Sequence, residues 1–366
     1  MRICFVNTGN IQSIATMKRS TGFAKPLMEM GHEVAIVALD CEINRARFNS
    51  ECPNIDPLYY YTASRIKEVK QKIKLINEWK PDVVYVSSIG FRNFITKFNV
   101  NAKVVIVEHC ELLSAIESQR FRFVYKLFEN SCQYLYDGMI VASRYLEDYY
   151  VNKGFTIPML YSQWGYNPET LGKIDYDYLQ KLKNQYTNKK VILYMGWLVM
   201  FYGFMEILEA SLLLKSKHDN YKILILGDGC DKSIGEKFVK ENHLEDTIEF
   251  LGYVSEETLL PTYLALADVF VSPLNDTVQD WARCPGKLFM YTNFKKPVVT
   301  CAIGEAKELF GDSGLYYNHN NIESFAHAIE KALIFPQGDL VDPSMHTWRE
   351  RAKVFVDWLQ VNFKIN

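Results

Sequence analysis

Short, continuously apolar segments alternate with longer amphipathic segments through the first half of the chain. Buried strands of a parallel sheet are apolar on both faces, whereas a helix against the sheet repeats its apolar positions every three to four residues. The pattern predicts strands at residues 2–6, 34–39, 83–86, 104–107 and 138–142, and helices at 14–30, 65–79 and 114–136. Strands separated by such helices pair in parallel, so we expect a doubly wound, Rossmann-like α/β domain.

A polar segment at residues 161–190 interrupts this alternation, which then restarts. Further strands are predicted at residues 191–195, 221–226, 248–251, 269–272 and 297–300, and a closing helix at 348–363. The pattern therefore predicts two Rossmann-like domains, at residues 1–166 and 167–345, that face a cleft, followed by a terminal helical segment at 346–366. Ligands of parallel sheets bind beyond the carboxyl ends of the strands, so we look for chemistry in those loops.

Composition is that of a folded protein without affinity for nucleic acid. The 366 residues are 48% apolar and 23% charged, and the net charge is −2, which gives no electrostatic footprint for DNA or RNA. The charge is distributed unevenly along the chain. Residues 1–167 carry 20 Lys and Arg against 16 Asp and Glu (+4), and the rest carry 21 against 27 (−6).

The eight cysteines are scattered, without a C-x-x-C pair or zinc-type spacing, which is typical of reduced thiols in a cytoplasmic protein. Residues 1–6 are too short an apolar run for a signal peptide. Residues 191–214 come nearest to a membrane span but include Glu206, Glu209 and two glycines. A buried strand, a glycine turn and an amphipathic helix explain that segment better.

Motifs of several common enzymes are absent. There is no Walker loop and no nucleophile elbow, and Gly-Asp-Gly at 227–229 lacks the third glycine of a dinucleotide-binding fold. Asp175 and Asp177 form a D-x-D, which holds a divalent metal in some transferases. We interpret it as the acidic start of a helix, with metal binding as the alternative. No metal or cofactor is predicted.

Two loops of the second domain have the composition of a phosphate site. Gly196 ends a predicted strand and Gly203 opens the next helix, where backbone N–H groups and the helix dipole favour an anion. Further on, Arg283 and Lys287 flank Pro285 and Gly286 at another predicted helix start, and we interpret this pair as a diphosphate seat. The alternatives are a simple tight turn and solvated surface charges.

His109 follows the predicted strand at residues 104–107. It would look across the cleft toward the phosphate seat, and we predict that it contacts the substrate. A packed or capping histidine is the alternative.

These segments together resemble the GT-B fold retaining glycosyltransferases of the group 1 family. The resemblance covers nearly the whole chain and depends on the order and spacing of the segments. They are Gly-His-Glu-Val at 31–34, Pro-Asp-Val-Val at 81–84, Ser143, Gly-Asp-Gly at 227–229, Gly-Tyr-Val at 252–254, Pro-Gly-Lys at 285–287 with Tyr291, Pro-Val-Val at 297–299, Gly-Glu at 304–305 and Trp-Arg-Glu-Arg-Ala at 348–352.

The resemblance implies roles for individual residues. It puts Gly9 in the first-strand loop near the acceptor and donor phosphate, and His109 at the donor sugar. The loop and helix start with Gly196 and Gly203 would hold the diphosphate. The nucleotide and its base would lie beside Asp228, Gly229, Tyr253 and Val254. The terminal helix would cross back onto the first domain.

Four positions depart from the family pattern. Trp197 and Tyr202 stand where the family usually has Arg and Lys, and Ala282 and Met290 stand where it has two acids. The second acid normally grips the nucleotide ribose, which Met290 cannot do.

We hypothesise that Arg283, Lys287 and the Gly203 helix start neutralise the phosphates instead, while Asp276 or Asp280 takes over part of the acid's task. The resemblance then implies transfer from a nucleotide sugar to a glycan or lipid-linked acceptor, with retention and without a protein general base. One alternative is a catalytically degenerate protein that binds a protein partner as the scaffold of a transferase complex. A sugar-nucleotide epimerase using His109, Glu108 and Glu111 is another.

Two basic segments of the first domain could meet the acceptor. Residues 65–80 are rich in lysine, and residues 120–128 interleave Arg120, Arg122 and Lys126 with phenylalanines. Peripheral contact with an anionic membrane at the inner face of the cell explains both segments. Solvated helix faces and core aromatics are the alternative.

Overall fold

The computed structural model describes residues 1–11, 15–61, 64–116, 120–168, 172–216, 220–254, 259–334 and 341–365. They form two compact units. The first comprises Met1–Asn167, Trp281–Cys284 and His346–Asn366, and the second comprises Pro168–Asp280 and Pro285–Met345. The predicted boundaries at residues 166 and 345 lie beside these, but the inclusion of Trp281–Cys284 in the first unit was not predicted.

Strands and helices alternate along most of the chain. The strands are β1 (Arg2–Val6), β2 (Glu33–Leu39), β3 (Asp56–Tyr60), β4 (Val83–Val86), β5 (Val104–His109), β6 (Gly138–Val141), β7 (Met159–Tyr161), β8 (Lys190–Met195), β9 (Tyr221–Leu226), β10 (Ile248–Gly252), β11 (Val269–Ser272), β12 (Val298–Thr300) and β13 (Leu315–Tyr316). The α-helices are α1 (Ala15–Glu29), α2 (Glu42–Glu51), α3 (Arg65–Trp79), α4 (Arg122–Leu135), α5 (Arg144–Asn152), α6 (Tyr176–Gln185), α7 (Phe204–Lys215), α8 (Lys232–Glu241), α9 (Leu260–Leu266), α10 (Val278–Ala282), α11 (Gly286–Thr292), α12 (Gly304–Phe310), α13 (Ile322–Ile334) and α14 (Trp348–Phe363). Short 3-10 helices lie at Phe91–Asn93, Leu113–Ala115, Met200–Tyr202, Gly311–Ser313 and Pro343–His346.

Each unit is built on one parallel sheet, which confirms the predicted fold class. The first sheet has the strand order β3-β2-β1-β4-β5-β6-β7, and the second has the order β10-β9-β8-β11-β12-β13. The strand pairs within both sheets are parallel. In both sheets the strand order reverses beside the first strand of the unit, which is the switch point where ligands of doubly wound sheets bind.

The first sheet is buried on both faces. Along β1, Ile3 and Phe5 belong to one apolar cluster, and Cys4 and Val6 to another. This is the period of two expected of a strand, with both faces covered by helices. The continuous apolar runs in the sequence have this physical origin.

Helix α14 completes the first of these clusters. Its predicted stripe of Ala352, Phe355, Val356 and Leu359 is buried, and Phe355 packs on Phe23 of α1 with ring centroids 5.6 Å apart. The terminal helix therefore belongs to the core of the first unit, as the resemblance implied.

The long helix predicted at residues 114–136 is shorter in the structure. Helix α4 begins at Arg122, and Leu113–Ala115 is a 3-10 turn; residues 117–119 lie outside the described part. The backbone N–H and the hydroxyl of Ser114 donate to the carboxylate of Glu129 on α4, at 2.9 and 2.5 Å. These bonds hold the turn against the middle of α4, so Ser114 cannot also start that helix.

Candidate active site

Glycines allow two loops to pack closely together at the carboxyl ends of the strands of the second sheet. A Cβ atom on Gly227 would lie 1.8 Å from the carbonyl oxygen of Gly196, and one on Gly229 would lie 2.2 Å from that of Leu198. The backbone N–H of Leu198 donates to the Asp228 carbonyl at 2.9 Å. The Gly-Asp-Gly segment therefore allows the loop after β9 to pack against the backbone of the loop after β8.

Gly203 begins α7 as predicted. It is the N-cap residue and has φ +76, a left-handed conformation that favours glycine. The first turn of α7 includes Glu206, whose carboxylate accepts from the Tyr317 hydroxyl at 2.7 Å. Burial raises the pKa of Glu206.

Lys287 lies on α11 at the end of β8. Its Nζ atom is 4.2 Å from the centroid of the Tyr194 ring and 3.4 Å from the position of a Cβ on Gly196. On the same helix, the Tyr291 hydroxyl accepts from the backbone N–H of Met195 at 2.9 Å. Helix α11 is thus bonded to the end of β8, and it holds the Lys287 ammonium beside the glycine loops.

Asp280 has a structural role in the loop after β11. Its side chain is buried, and Oδ2 accepts from the backbone N–H of Asn275 at 2.6 Å. Asp276, in contrast, is exposed. Of the two acids predicted to replace the missing carboxylate, Asp276 is the one that solvent reaches.

The remaining predicted donor residues of the second unit lie on its loops. Trp197 and Tyr253 are 59% and 61% exposed. Asp228 is exposed, and Tyr202, Gly229, Val254, Pro285 and Gly286 are half-buried. Pro285 is the N-cap residue of α11. The structure places these residues after β8, β9, β10 and β11, on the edge of the sheet where a ligand was expected.

The Trp281–Cys284 segment packs with the first unit. Ser143 donates its hydroxyl hydrogen to the Ala282 carbonyl at 2.7 Å, and the backbone N–H of Trp164 donates to the Cys284 sulfur at 3.2 Å. Burial raises the pKa of Glu111, and the positive charge of Arg283, which lies on this segment, partly opposes that rise. Arg283 and Lys287 therefore belong to different units, and their joint phosphate seat stays a prediction.

His109 is enclosed in the first unit. It is the last residue of β5 and is 2% exposed; its Nδ1 atom lies 2.6 Å from the Tyr150 hydroxyl, and its Nε2 atom lies 3.4 Å from the Cys132 sulfur. Burial lowers its pKa to about 3, so the ring is neutral at physiological pH. Both ring nitrogens have partners inside the unit, which is the packed arrangement and does not favour a substrate contact.

The loop that contains Gly9 is bonded to a buried polar cluster. The Gly9 backbone N–H donates to the Tyr60 hydroxyl at 2.8 Å, and the Lys72 ammonium donates to Thr8 Oγ1 at 2.8 Å. Lys72 also pairs with Glu68 at 2.8 Å, and both side chains are fully buried. Burial lowers the pKa of Lys72 to about 8. Lys72 thus fixes the first-strand loop and is not part of a basic surface on α3.

Sequence reasoning missed a buried ion pair next to His109. Arg19 of α1 and Glu108 of β5 form a salt bridge with both side chains at most 1% exposed. Arg19 also donates to the carbonyl of Ser162, and Cys110 donates to Glu108 at 2.9 Å. The partners are 89 positions apart in sequence, and an alternating pattern gives no signal for such a pair. Glu108 is therefore engaged in the fold and is not the accessible acid that an epimerase would need.

Comparisons with known proteins agree with this architecture. Residues 189–334 match the family described as "Glycosyl transferases group 1". Solved structures with a similar fold include Anabaena HepE in complex with UDP-glucose (15% identity, TM-score 0.73, covering 99% of this chain and 95% of that one). They also include S. aureus TarM (11%, 0.72, all of both chains) and a glycosyltransferase of Rickettsia africae (16%, 0.70, 99% and 95%). No match was found among curated protein sequences.

This match to the group 1 glycosyltransferases covers 146 of the 366 residues. At these identities the likeness to solved structures shows the GT-B fold. The family match covers β8 to α13, all of it in the second unit except Trp281–Cys284.

One of the four departures from the family pattern has a structural explanation. Ala282 is fully buried in an apolar cluster of the first unit, where an unpaired carboxylate would be strongly disfavoured. Trp197, at the position of the family's usual arginine, projects to solvent with 59% of its surface exposed. Met290, at the place of the second acid, is half-buried on α11.

The D-x-D formed by Asp175 and Asp177 starts a helix, as interpreted from the sequence. Asp175 is the N-cap residue of α6, and its Oδ1 atom accepts from the Tyr178 backbone N–H at 2.9 Å. Within the described ranges, no group of three His, Cys, Asp or Glu side chains could hold a metal ion. None of the helices described there has the length and hydropathy to cross a bilayer.

Proposed function

We propose that the protein transfers a sugar from a nucleotide sugar to a glycan or lipid-linked acceptor with retention of configuration. The family match supports glycosyl transfer, and the similar fold of HepE was solved with UDP-glucose bound. The observation that carries the proposal is the position of Lys287 beside the joined glycine loops at the carboxyl edge of the second sheet.

In this proposal the second unit binds the diphosphate of the donor. When the sugar leaves as an oxocarbenium-like species, negative charge develops on the departing diphosphate, and fixed donors and cations there lower the barrier. Lys287 supplies the cation, and the start of the twelve-residue helix α7 at Gly203 supplies backbone N–H groups. Neither donor needs to move when the charge develops, because both are held by regular structure.

The proposed reaction needs no general base from the protein. The departing phosphate oxygen deprotonates the incoming hydroxyl on the same face of the sugar, which gives retention. No metal or cofactor is assigned to this step. His109 is not included, because its ring nitrogens bond within the core, and Asp276 is preferred to Asp280 for the ribose hydroxyls.

Arg283 is proposed as the second cation of the reaction. It lies in the first unit near Glu111, whose pKa burial raises. A variant of Arg283 alone therefore tests whether the first unit contributes to phosphate neutralisation.

Donor turnover by Lys287→Ala tests the proposal. Screening with UDP- and GDP-sugars first identifies a turned-over donor, and we then expect the variant to lose about 100- to 1,000-fold in kcat. Lys331→Ala is the matched control, because it removes the same charge from an exposed position on α13 of the same unit. Unchanged turnover in both Lys287→Ala and Arg283→Ala would contradict the proposed chemistry. The anomeric configuration of the product, read by NMR, tests retention.

A second candidate function is a scaffold subunit without catalysis. It is favoured by the exposed Trp197, a residue that presents an indole where a phosphate-binding arginine is usual. Calorimetric titration with UDP, GDP and their sugars separates the two functions, because the scaffold predicts no nucleotide binding and requires a protein partner.

The free state of all eight cysteines supports a cytoplasmic setting for either function, since reducing compartments keep thiols unpaired.

A further inference from the structure

Helix α4 exposes an apolar stripe to solvent. Phe123, Leu127 and Tyr134 lie four and seven positions apart, which puts them on one face, and they are 73%, 49% and 68% exposed. Glu129 and Cys132, on the other face, are buried. A surface helix normally turns its apolar face toward the core, so α4 presents a second apolar face that the unit does not cover.

Aromatic residues beside α4 widen this stripe. Phe121 precedes the helix and is 46% exposed, and its ring centroid lies 6.4 Å from that of Phe91. The Phe91 and Phe94 rings pack on Phe128 of α4 at 5.4 and 5.6 Å. We define the aromatic surface by six partly exposed side chains. They are Phe91, Phe94, Phe121, Phe123, Leu127 and Tyr134.

The exposed charges on the described residues 120–136 are all basic. Arg120, Arg122 and Lys126 are exposed. The only acid among residues 120–136, all of them described, is Glu129, which is buried and bonded to Ser114. At the carboxyl end of α4, the Lys97 backbone N–H donates to the Leu135 carbonyl at 3.1 Å, and the Lys97 ammonium pairs with Asp137 at 3.8 Å, so this pair adds no net charge. A partner for this surface must therefore offer both apolar groups and negative charge.

We propose that the aromatic surface binds an anionic phospholipid bilayer. Phenylalanine and tyrosine rings enter the headgroup region readily, and arginine and lysine beside them pair with anionic headgroups. A protein partner would meet three cations around the apolar tips, whereas lipid supplies apolar chains and negative charge over the whole area. The binding does not depend on transfer activity, so it can be measured without a donor or an acceptor.

Two other helices of the first unit show what such a surface requires. On α14, Val354 and Val361 are exposed and seven positions apart, but the helix carries acids and bases in alternation. On α3, Lys72 is buried, and Lys74 lies 3.7 Å from Glu78. Arg65, Lys67, Lys70 and Lys80 are exposed, but Ile66 is the one large apolar side chain exposed on α3, every residue of which is described. Helix α3 therefore lacks an apolar stripe beside its cations, and membrane contact is assigned to α4.

Vesicle sedimentation with the full-length protein tests the proposal. The probes are vesicles of mixed phosphatidylglycerol and phosphatidylcholine, and vesicles of phosphatidylcholine alone, at low and high salt. We expect binding to the anionic vesicles that weakens with salt, and little binding to the neutral ones. Phe123→Ser/Leu127→Ser should bind at least about 10-fold more weakly, and Arg120→Ser/Arg122→Ser/Lys126→Ser about 100-fold more weakly.

Val354→Ser/Val361→Ser is the matched control, since it removes two exposed apolar side chains from the same unit. Circular dichroism of each variant checks that the fold is intact. Absence of wild-type binding to anionic vesicles at low salt overturns the proposal, and so does equal binding by the control and the Phe123/Leu127 variant. A dimer in solution that Phe123→Ser/Leu127→Ser abolishes, without vesicle binding, would identify a second copy of the chain as the occupant and also overturn it.

Discussion

The loops at the carboxyl ends of the strands, called here the carboxyl edge of each sheet, are held together in different ways in the two units. In the first unit, buried side chains bond to one another, as Arg19 does to Glu108 and Lys72 does to Glu68. In the second unit, glycines bring backbone against backbone, with Gly227 packed on Gly196. These four polar side chains of the first unit are thus engaged in the fold, whereas Asp228 and Asp276 of the second unit reach solvent.

This difference indicates which edge recognises a charged ligand. A side chain that already satisfies a buried partner cannot change partners without leaving an uncompensated charge. Backbone packing through glycine has no such consequence, because it needs no side chain. We therefore expect substitutions at the carboxyl ends of the first sheet's strands to reduce mainly stability. Substitutions at the carboxyl ends of the second sheet's strands should reduce both stability and ligand binding.

The largest effect is expected for Glu108→Ala. Removing this carboxylate leaves the Arg19 guanidinium buried without its counter-charge, and we expect a loss of about 3 to 5 kcal/mol in the free energy of unfolding. Urea unfolding followed by tryptophan fluorescence measures it. Five of the six tryptophans, all except Trp197, lie in the first unit.

The apolar double variant Arg19→Met/Glu108→Leu is the control. It removes both charges, so it should be more stable than Glu108→Ala. If the free energy of unfolding of Glu108→Ala were within about 1 kcal/mol of the wild-type value, the pair would contribute no more than an exposed ion pair does. That result would show that the pair does not hold the first edge together.

Gly227→Ala should have the next largest effect. Its Cβ would overlap the carbonyl of Gly196, and φ at this position is +138, so we expect a loss of about 3 kcal/mol and weaker UDP binding by calorimetry. Gly252→Ala is the matched control in the same unit. It has a φ of +70 but no atom within 4 Å of the new Cβ, and should lose only about 1 to 2 kcal/mol. Equal losses in the two variants would show that close packing of the loops does not matter.

The smallest effect is a pH dependence caused by His109. Its pKa in the folded protein is about 3, against an ordinary value of 6.5. Between these values the unfolded chain takes up a proton that the folded protein does not, so stability falls on acidification, by at most about 1.4 kcal/mol per pH unit. His109→Gln should weaken this dependence, as measured by urea unfolding from pH 7 to pH 5. His327→Gln, at an exposed site on α13, should leave it unchanged, and a slope that is the same in all three proteins would contradict the buried state of His109.

The sequence predicts the centre of each sheet better than its edges. The strands that pattern analysis missed are β3, β7 and β13, and each is the last strand at one edge of its sheet. An edge strand is covered less completely, so it needs no continuous apolar run. Strand β3 contains Pro57, and β13 has only two residues.

The parts of the candidate site that depend on backbone conformation could be predicted from the sequence. The parts that depend on contacts between side chains distant in sequence could not. Gly196, Gly203 and Gly227 indicate loops and a helix start by their residue type and spacing. The burial of His109 depends on Tyr150 and Cys132, and that of Ala282 on Ser143. Those partners come together only through the tertiary fold, so local pattern cannot distinguish a packed histidine from an accessible one.

Helix α14 has a consequence for synthesis of the chain. The Trp348 indole fills the space above Gly22 and Gly165, where a Cβ would lie 2.4 and 2.7 Å from its ring atoms. Gly22 and Gly165 are encoded far upstream of Trp348, so the core of the first unit stays unfinished on the ribosome until α14 has been synthesised. All the strands of the second sheet precede α14 in the chain, so the second sheet is free to form before the core of the first unit is complete.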